Sequence, residues 1–304
     1  MPNRIIYIDR KTKKKNVELV YGADFLKFLY GNTWLSKIIG RPIGFILSRI
    51  SLFSKLYGYF QKLSLTKRKI KPFIQKFGID TSEFAEDSSS FSSFNDFFIR
   101  KLKPNSRPIA DGENVAIIPA DGRYLFFQDI DKTDGFLVKG KKFQLESLLK
   151  SQKLAEKYSG GTLVIARLCP TDYHRYHFPI SGFVEKTELI NGFLYSVNPI
   201  ALKRNIEIFA ENKRTLCTIK NDLFGDILFL EIGATFVGAI HQTYVENRFY
   251  QKGDEKGYFS FGGSSLILLF EKDKIQIDED LLDATKDGFE TLCLMGDRLG
   301  INTA

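Results

Sequence analysis

Tyr258-Phe259-Ser260-Phe261-Gly262-Gly263-Ser264-Ser265-Leu266-Ile267-Leu268-Leu269-Phe270 places two glycines and two serines inside what otherwise reads as one extended apolar segment. Glycine within a strand pattern marks a bulge or a close backbone approach. The Ser264 hydroxyl is a covalent neighbour of the Gly263 carbonyl, so nucleophile and electrophile are already held together. That arrangement suits an attack of the chain on itself. The same letters also make an ordinary hairpin turn, so the case has to come from the rest of the sequence.

The 304 residues suffice for one large or two ordinary domains with a sizeable core. A net charge of +8 and a pI near 9.1 point to an anionic partner, either nucleic acid or an acidic membrane surface. Three widely spaced cysteines, Cys169, Cys217 and Cys293, offer neither a disulfide framework nor a CxxC metal pair, and a reducing, cytoplasmic setting is expected. Met1 to Arg10 lacks the apolar run and small-residue cleavage site of a signal peptide.

Working towards the N-terminus, Ile5 to Ile8 and Val17 to Tyr21 read as two short strands joined by the basic turn Lys11 to Lys15. From Ala23 to about Phe77 the pattern is helical, rich in Phe, Leu, Ile and Tyr and punctuated by Lys and Arg. Its longest apolar piece, Pro42 to Phe60, is broken by Arg49 and Lys55 and falls short of the roughly 20 apolar residues of a spanning helix. Basic residues interleaved with aromatics fit a helix lying on an anionic leaflet. The competing reading is a helical cap packed on the core with a solvated charged face.

After the serine-rich stretch around Asp87 to Ser93, Phe94 to Phe98 reads as a short serine-capped helix. From Val115 onward short strands recur: Val115 to Ile118, Tyr124 to Phe127, Gly161 to Leu168, Phe183 to Ile190, Thr215 to Ile219, Ile227 to Ile232 and Thr235 to Ile240, with one helix at Gln144 to Lys150. The expected fold is α+β: a helical N-terminal region, residues 1–93, and a mainly antiparallel sheet or sandwich, residues 94–304. Neither a P-loop nor a GxGxxG dinucleotide fingerprint occurs.

His174 and His177 sit three apart in Asp172-Tyr173-His174-Arg175-Tyr176-His177, and imidazole both takes and gives a proton near neutrality. With no suitably spaced Cys or His to complete four ligands, no metal is expected. Asp121, in Pro119-Ala120-Asp121-Gly122, reads first as a turn former. An aspartate accepting from a histidine ring nitrogen would also fix its tautomer, so Asp121, His177 and Ser264 form a candidate orienter, base and nucleophile set. A structural hydrogen bond is the expectation for His241.

Eight motifs occur in register from residue 94 to the end: Phe94-Asn95-Asp96-Phe97-Phe98-Ile99-Arg100, Pro119-Ala120-Asp121-Gly122, Lys139-Gly140-Lys141-Lys142-Phe143, Asp172 to Pro179, Tyr195-Ser196-Val197-Asn198-Pro199, Ile232 to Gly238, Lys252 to Gly257 and Gly262-Gly263-Ser264-Ser265. Together they resemble the phosphatidylserine decarboxylases, and the segment before Phe94 matches only loosely. The resemblance implies a proenzyme that cuts itself between Gly263 and Ser264. Ester formation, β-elimination and hydrolysis would leave a β chain of residues 1–263 and an α chain of residues 264–304 capped by a covalent pyruvoyl (pyruvate) group from Ser264. It implies that Asp121 and His177 activate Ser264 for this cut. The pyruvoyl would then form a Schiff base with phosphatidylserine and act as electron sink, giving phosphatidylethanolamine and CO2. His174 is the candidate for assisting decarboxylation and supplying the proton. Gly262 and Ser265 stand where bacterial members commonly carry leucine and threonine, a departure expected to touch rate alone.

The expected partners are therefore the phosphatidylserine substrate and an anionic membrane surface on the cytoplasmic side of the cell membrane, with a homodimer as the assembly and no nucleic acid. Two other readings compete. One is a lipid hydrolase using Asp121, His177 and Ser264 on an uncut chain, which the missing G-x-S-x-G elbow opposes. The other is a non-catalytic membrane-binding module, for which the basic helices alone would suffice.

Overall fold

The computed structural model describes residues 5–49, 51–132, 144–202, 205–234, 239–262 and 264–303. Their centre is the strand Ser264–Phe270, buried at every position. Leu266 to Phe270 are apolar without interruption because the strand has packing on both faces, as a central strand must. It pairs antiparallel with Gly225–Gly233 on one side and Thr162–Leu168 on the other. From there an eleven-stranded sheet extends outward. On one flank come Arg214–Asn221, then Gly182–Val184 and Arg248–Tyr250, and on the other Gly122–Phe127, Glu290–Cys293, Ile6–Asp9 and Lys15–Val17. Ile6–Asp9 runs parallel to Glu290–Cys293, and the other pairs of this sheet are antiparallel.

The two faces of this sheet are covered differently, which refines the expected sandwich. Leu266, Leu268 and Phe270 point into a core closed by two three-stranded sheets, which contribute residues such as Tyr176, Phe259, Ala116 and Leu299. Ile267 and Leu269, one residue out of phase, point into a core closed by helices carrying Leu148, Ala201 and Phe209. A third cluster, built from Phe73, Phe84, Phe91, Phe94, Phe97 and Phe98, packs around Phe261 and so joins the N-terminal helices to the segment just before Ser264. Phe94–Phe98 is helical as expected, with Ser93 Oγ accepting from the Asp96 amide at 3.2 Å.

Several sequence expectations are corrected. The second N-terminal strand is Lys15–Val17, not Val17 to Tyr21. The chain leaves the sheet there because Glu18 turns to Arg167, and Tyr21 packs on Phe73 and Phe261. Phe183 to Ile190 is two strands, Gly182–Val184 and Glu188–Ile190, separated where Thr187 donates its amide to the Glu246 carboxylate. Pro42 to Phe60 falls in two helices, Arg41–Arg49 and Ser51–Gln61. His241 lies inside the strand Ile240–Gln242 rather than after one. Helices at Gln152–Lys157, Pro199–Leu202, Ile208–Glu211 and Glu279–Lys286 were not expected from the pattern. Thr235 to Val237, Gly238, Lys139 to Phe143 and Gly263 lie outside the described residues.

The two layers beneath the small sheet are fastened by charge. Lys256, on Glu255–Phe259, donates to Glu231 of Gly225–Gly233, and both side chains are fully buried. Tyr176, Phe229 and Tyr244 surround the ammonium, and Thr215 donates to the other carboxylate oxygen. Removing one member of such a pair strands the other in a low-dielectric interior. Lys256→Met is therefore expected to lower unfolding stability by about 3–5 kcal/mol, read as a shift in the urea midpoint. Loss of less than about 1 kcal/mol would mean that the pair is hydrated.

Candidate active site

Ser264 opens the central strand opposite Gly233 and Leu168. Strand alternation puts its side chain on the face of Leu266 and Leu268, and that of Ser265 on the face of Ile267. Both serines are fully buried and neither hydroxyl has a hydrogen-bond partner among the described atoms. An orphaned buried hydroxyl costs free energy that a folded protein ordinarily recovers by pairing it. Gly262, two residues before, has φ 139°, a region that a side chain disfavours.

Asp121 and His177 are brought together, since the His177 amide donates to the Pro119 carbonyl at 2.8 Å and the Asp121 charge acts on the His177 ring. They are not hydrogen-bonded to each other among the described atoms. Asp121 accepts from Arg107 Nε at 2.9 Å, from Arg107 Nη2 at 2.7 Å and from the Met295 amide at 2.8 Å. Arg107 bridges onward to Glu83 at 2.9 Å. His177 Nδ1 lies 2.9 Å from the Gly253 carbonyl, and Nε2 lies 3.3 Å from the Tyr173 hydroxyl. A carbonyl only accepts, so Nδ1 carries the proton and Nε2 presents its lone pair, here towards Tyr173. Burial lowers the His177 pKa, with the Gly253 hydrogen bond and the Glu255 and Asp121 charges opposing it.

His174 is placed elsewhere. Its ring packs 3.8 Å from that of Phe98, which in turn contacts Phe261, and its own carbonyl accepts from the Phe259 amide at 3.0 Å. It thus borders the segment leading to Ser264. Nδ1 lies 3.0 Å from the Asp172 carbonyl, so by the same reasoning Nε2 is a lone pair, buried and without a partner among the described residues. Burial pushes its pKa down to about 3, helped by Arg100 and Arg123 and opposed by the Asp172 hydrogen bond. His174 therefore rests neutral, as a proton acceptor. His241 bonds Ser260 Oγ at 2.9 Å and stacks on Tyr258, the structural part expected of it.

Sequence reasoning assigned no role to the residues that hold these groups. Asn95 Oδ1 accepts from the Phe261 amide at 3.0 Å and fixes the approach to Gly262. Gly257 admits the small sheet, since a Cβ there would sit 2.2 Å from the His241 carbonyl oxygen. Arg100 is 5% exposed with Nε and Nη1 unpartnered among the described residues, and burial lowers its pKa to about 10. Asn95, Arg100 and Gly257 fall inside quoted motifs; Arg107 lies outside them and no sequence signal singled it out.

A cavity of about 550 Å³ reaches Leu168, Ala234 and Gly262, close to Ser264 in strand pairing and in sequence. Thr171, Ser196 and Asn198 contribute polar groups to its lining, and Leu19, Tyr21, Phe25, Leu26 and Leu29 largely apolar ones.

The comparison with known proteins now decides the family. Residues 94–300 match the family described as phosphatidylserine decarboxylase. The chain belongs to the phosphatidylserine decarboxylase family. It is 48% identical over 297 residues to the phosphatidylserine decarboxylase proenzyme of Chlamydia caviae, covering 98% of each chain. To the proenzyme of Chlamydia pneumoniae it is 47% identical over 294 residues, 97% of this chain and 96% of that one, and to that of Chlamydia felis 46% over 297 residues, 98% of each. The likeness extends through residues 1–93, where the motif resemblance was loose. Nothing in these phosphatidylserine decarboxylase relatives favours the hydrolase reading.

A buried histidine kept neutral costs stability in acid. The folded pKa of His174 lies below its unfolded value, so the unfolded chain binds the extra proton between about pH 6.5 and pH 3. Stability should therefore fall with pH in that window, by up to about 1.4 kcal/mol per unit from this one group. Urea midpoints at pH 6.5 and 5 should converge for His174→Gln relative to the unaltered protein. Equal slopes for the two would show His174 to be protonated in the folded state.

Proposed function

We propose that the protein is a self-cleaving proenzyme that decarboxylates phosphatidylserine to phosphatidylethanolamine on the cytoplasmic face of a membrane. The observation that carries this reading is the Ser264 hydroxyl, buried and without a partner among the described residues, at the head of the central strand and next to the Gly262 and Leu168 lining of the cavity. A group so placed fits a residue destined for conversion. In the cut, Ser264 Oγ bonds to the Gly263 carbonyl carbon, the Gly263–Ser264 amide breaks, and its nitrogen gains a proton. Elimination of the ester and hydrolysis, with loss of ammonia, then leave the pyruvoyl terminus on residue 264. His177 Nε2 is the basic atom for the Ser264 proton, and Asp121 offsets the positive charge that then forms on the ring. Tyr173 occupies that lone pair beforehand.

The pyruvoyl group, once formed, supplies the electron sink that no encoded side chain provides. The residues around it handle protons. His174, whose Nε2 has no partner among the described residues and whose ring borders the segment leading to Ser264, is the candidate for assisting decarboxylation and returning a proton to the carbon that has lost CO2.

The N-terminal helices support docking on a lipid surface. They pack inward through Leu29, Ile70 and Phe73 and leave Trp34 71% exposed and Ile38 65% exposed, with Ile39, Phe45 and Ile46 beside them in sequence. Among the described residues, no helix is long and apolar enough to cross a membrane. Apolar side chains flanked by Lys37, Arg41 and Arg49 match an interfacial surface on anionic lipid.

Intact-mass analysis tests the cut: purified protein should give two chains split at Gly263–Ser264, and Ser264→Ala one uncut chain that releases no CO2. Two chains from that variant would reject the assignment. Replacing Trp34 and Ile38 together by Glu should reduce sedimentation with phosphatidylserine vesicles at least fivefold while cleavage proceeds; undiminished sedimentation would remove these helices from the membrane contact.

A further inference from the structure

The cavity beside Ser264 is lined by three charged side chains among the described residues, Glu18, Lys76 and Arg167. Two of them cancel. Arg167 Nη2 and Nη1 donate to Glu18 at 2.7 and 3.2 Å, and the guanidinium is shared further with Glu290. The Glu18 carboxyl is held below its usual range chiefly by Arg167, against the cost of burial. Lys76 differs. It is exposed near the end of the helix Ile70–Phe77, anchored inward by Phe73, and has no carboxylate within ion-pair distance among the described residues. Its one described contact is with the Phe77 ring, 5.6 Å away. The rim of the same cavity carries exposed apolar side chains, Leu19 at 58% and Phe25 at 43%.

We infer that Lys76 binds the phosphodiester of the diacyl substrate. The inference rests on the function proposed above and names how that site recognises a lipid. The substrate's amine must reach residue 264, whose strand partner Leu168 and near neighbour Gly262 line the cavity. Its carboxylate sits on the same carbon as the amine. The phosphodiester is one CH2–O link further out, and the glycerol and acyl chains lie beyond it. This order matches the exposure of the lining: buried Ser196 and Cys169 and the half-buried Thr171 and Asn198, an ammonium on exposed Lys76, and exposed apolar Leu19 and Phe25. The headgroup carries one net negative charge. Within the lining, Lys76 alone has an uncommitted positive charge to meet it.

The test uses purified, self-cleaved protein and monomeric dihexanoyl phosphatidylserine below its micelle threshold, so that adsorption to a membrane plays no part. Lys76→Glu should raise KM about three- to tenfold, the scale of one partly exposed ion pair, with kcat changed less than about twofold. Lys76→Arg should restore KM. Lys71→Glu, on the same helix but outside the cavity lining, should leave it unchanged. An unaltered KM in Lys76→Glu, an equal rise in Lys71→Glu, or a rise seen with vesicles and absent with the monomeric lipid would overturn the assignment while CO2 release kept the proposed function standing. No CO2 from the unaltered protein with either substrate would remove that function, and this inference with it.

Discussion

Everything at the site depends on the antiparallel register that sets Ser264 against Gly233 and Leu168. Because side chains alternate along a strand, a slip of one residue would exchange the environments of Ser264 and Ser265 and turn every apolar residue from Leu266 to Phe270 to the wrong core. The two cores are unlike, one closed by small sheets whose strands carry His177 and His241 and the other by helices carrying Leu148, Ala201 and Phe209. The cavity meets the strand near its head, at Leu168, Ala234 and Gly262.

Holding charged and polar groups that deep requires each to be paired, and the few left unpaired stand out. Arg107 takes Asp121, Arg123 takes Asp172, and Lys256 takes Glu231. Against that background, Ser264 Oγ and His174 Nε2 have no partner among the described residues, and neither do Ser265 Oγ or Arg100 Nε and Nη1. A polar atom left buried and unsatisfied costs stability that pairing would recover. Backbone carbonyls hold both Nδ1 protons, so each ring keeps its lone pair on Nε2, that of His177 facing the Tyr173 hydroxyl.

Much of this was legible in the sequence, and the reasons are local. The run around Ser264 read as one extended apolar segment, as its strand is; Ser93 ahead of Phe94 had to cap a helix; and His174 and His177 stood out because the chain has only one other histidine. What could not be read is what depends on partners distant in sequence. Arg107 meets Asp121, Asn95 meets the Phe261 amide, and Glu18 leaves its strand to meet Arg167, and no periodicity encodes any of these. Alternation also failed over Phe183 to Ile190, where a turn at Glu185 to Thr187 divides what reads as one run. The N-terminal helices suited both competing readings because they have two apolar sides. One packs on Phe261 and the other faces outward.

The position of Ser264–Phe270 also has a consequence for the order of events in the cell. Residues 264–304 supply the middle strand of the great sheet, and further out the strands Glu290–Cys293 and Arg298–Ile301. Until the ribosome has released this tail, Thr162–Leu168 and Gly225–Gly233 have a gap between them where a neighbour should lie. The head of that strand thus has no neighbours to hold it until both it and they have been made. On the self-cleavage proposed above, a chain lacking this strand would have no sheet in which Ser264 could be set for the cut.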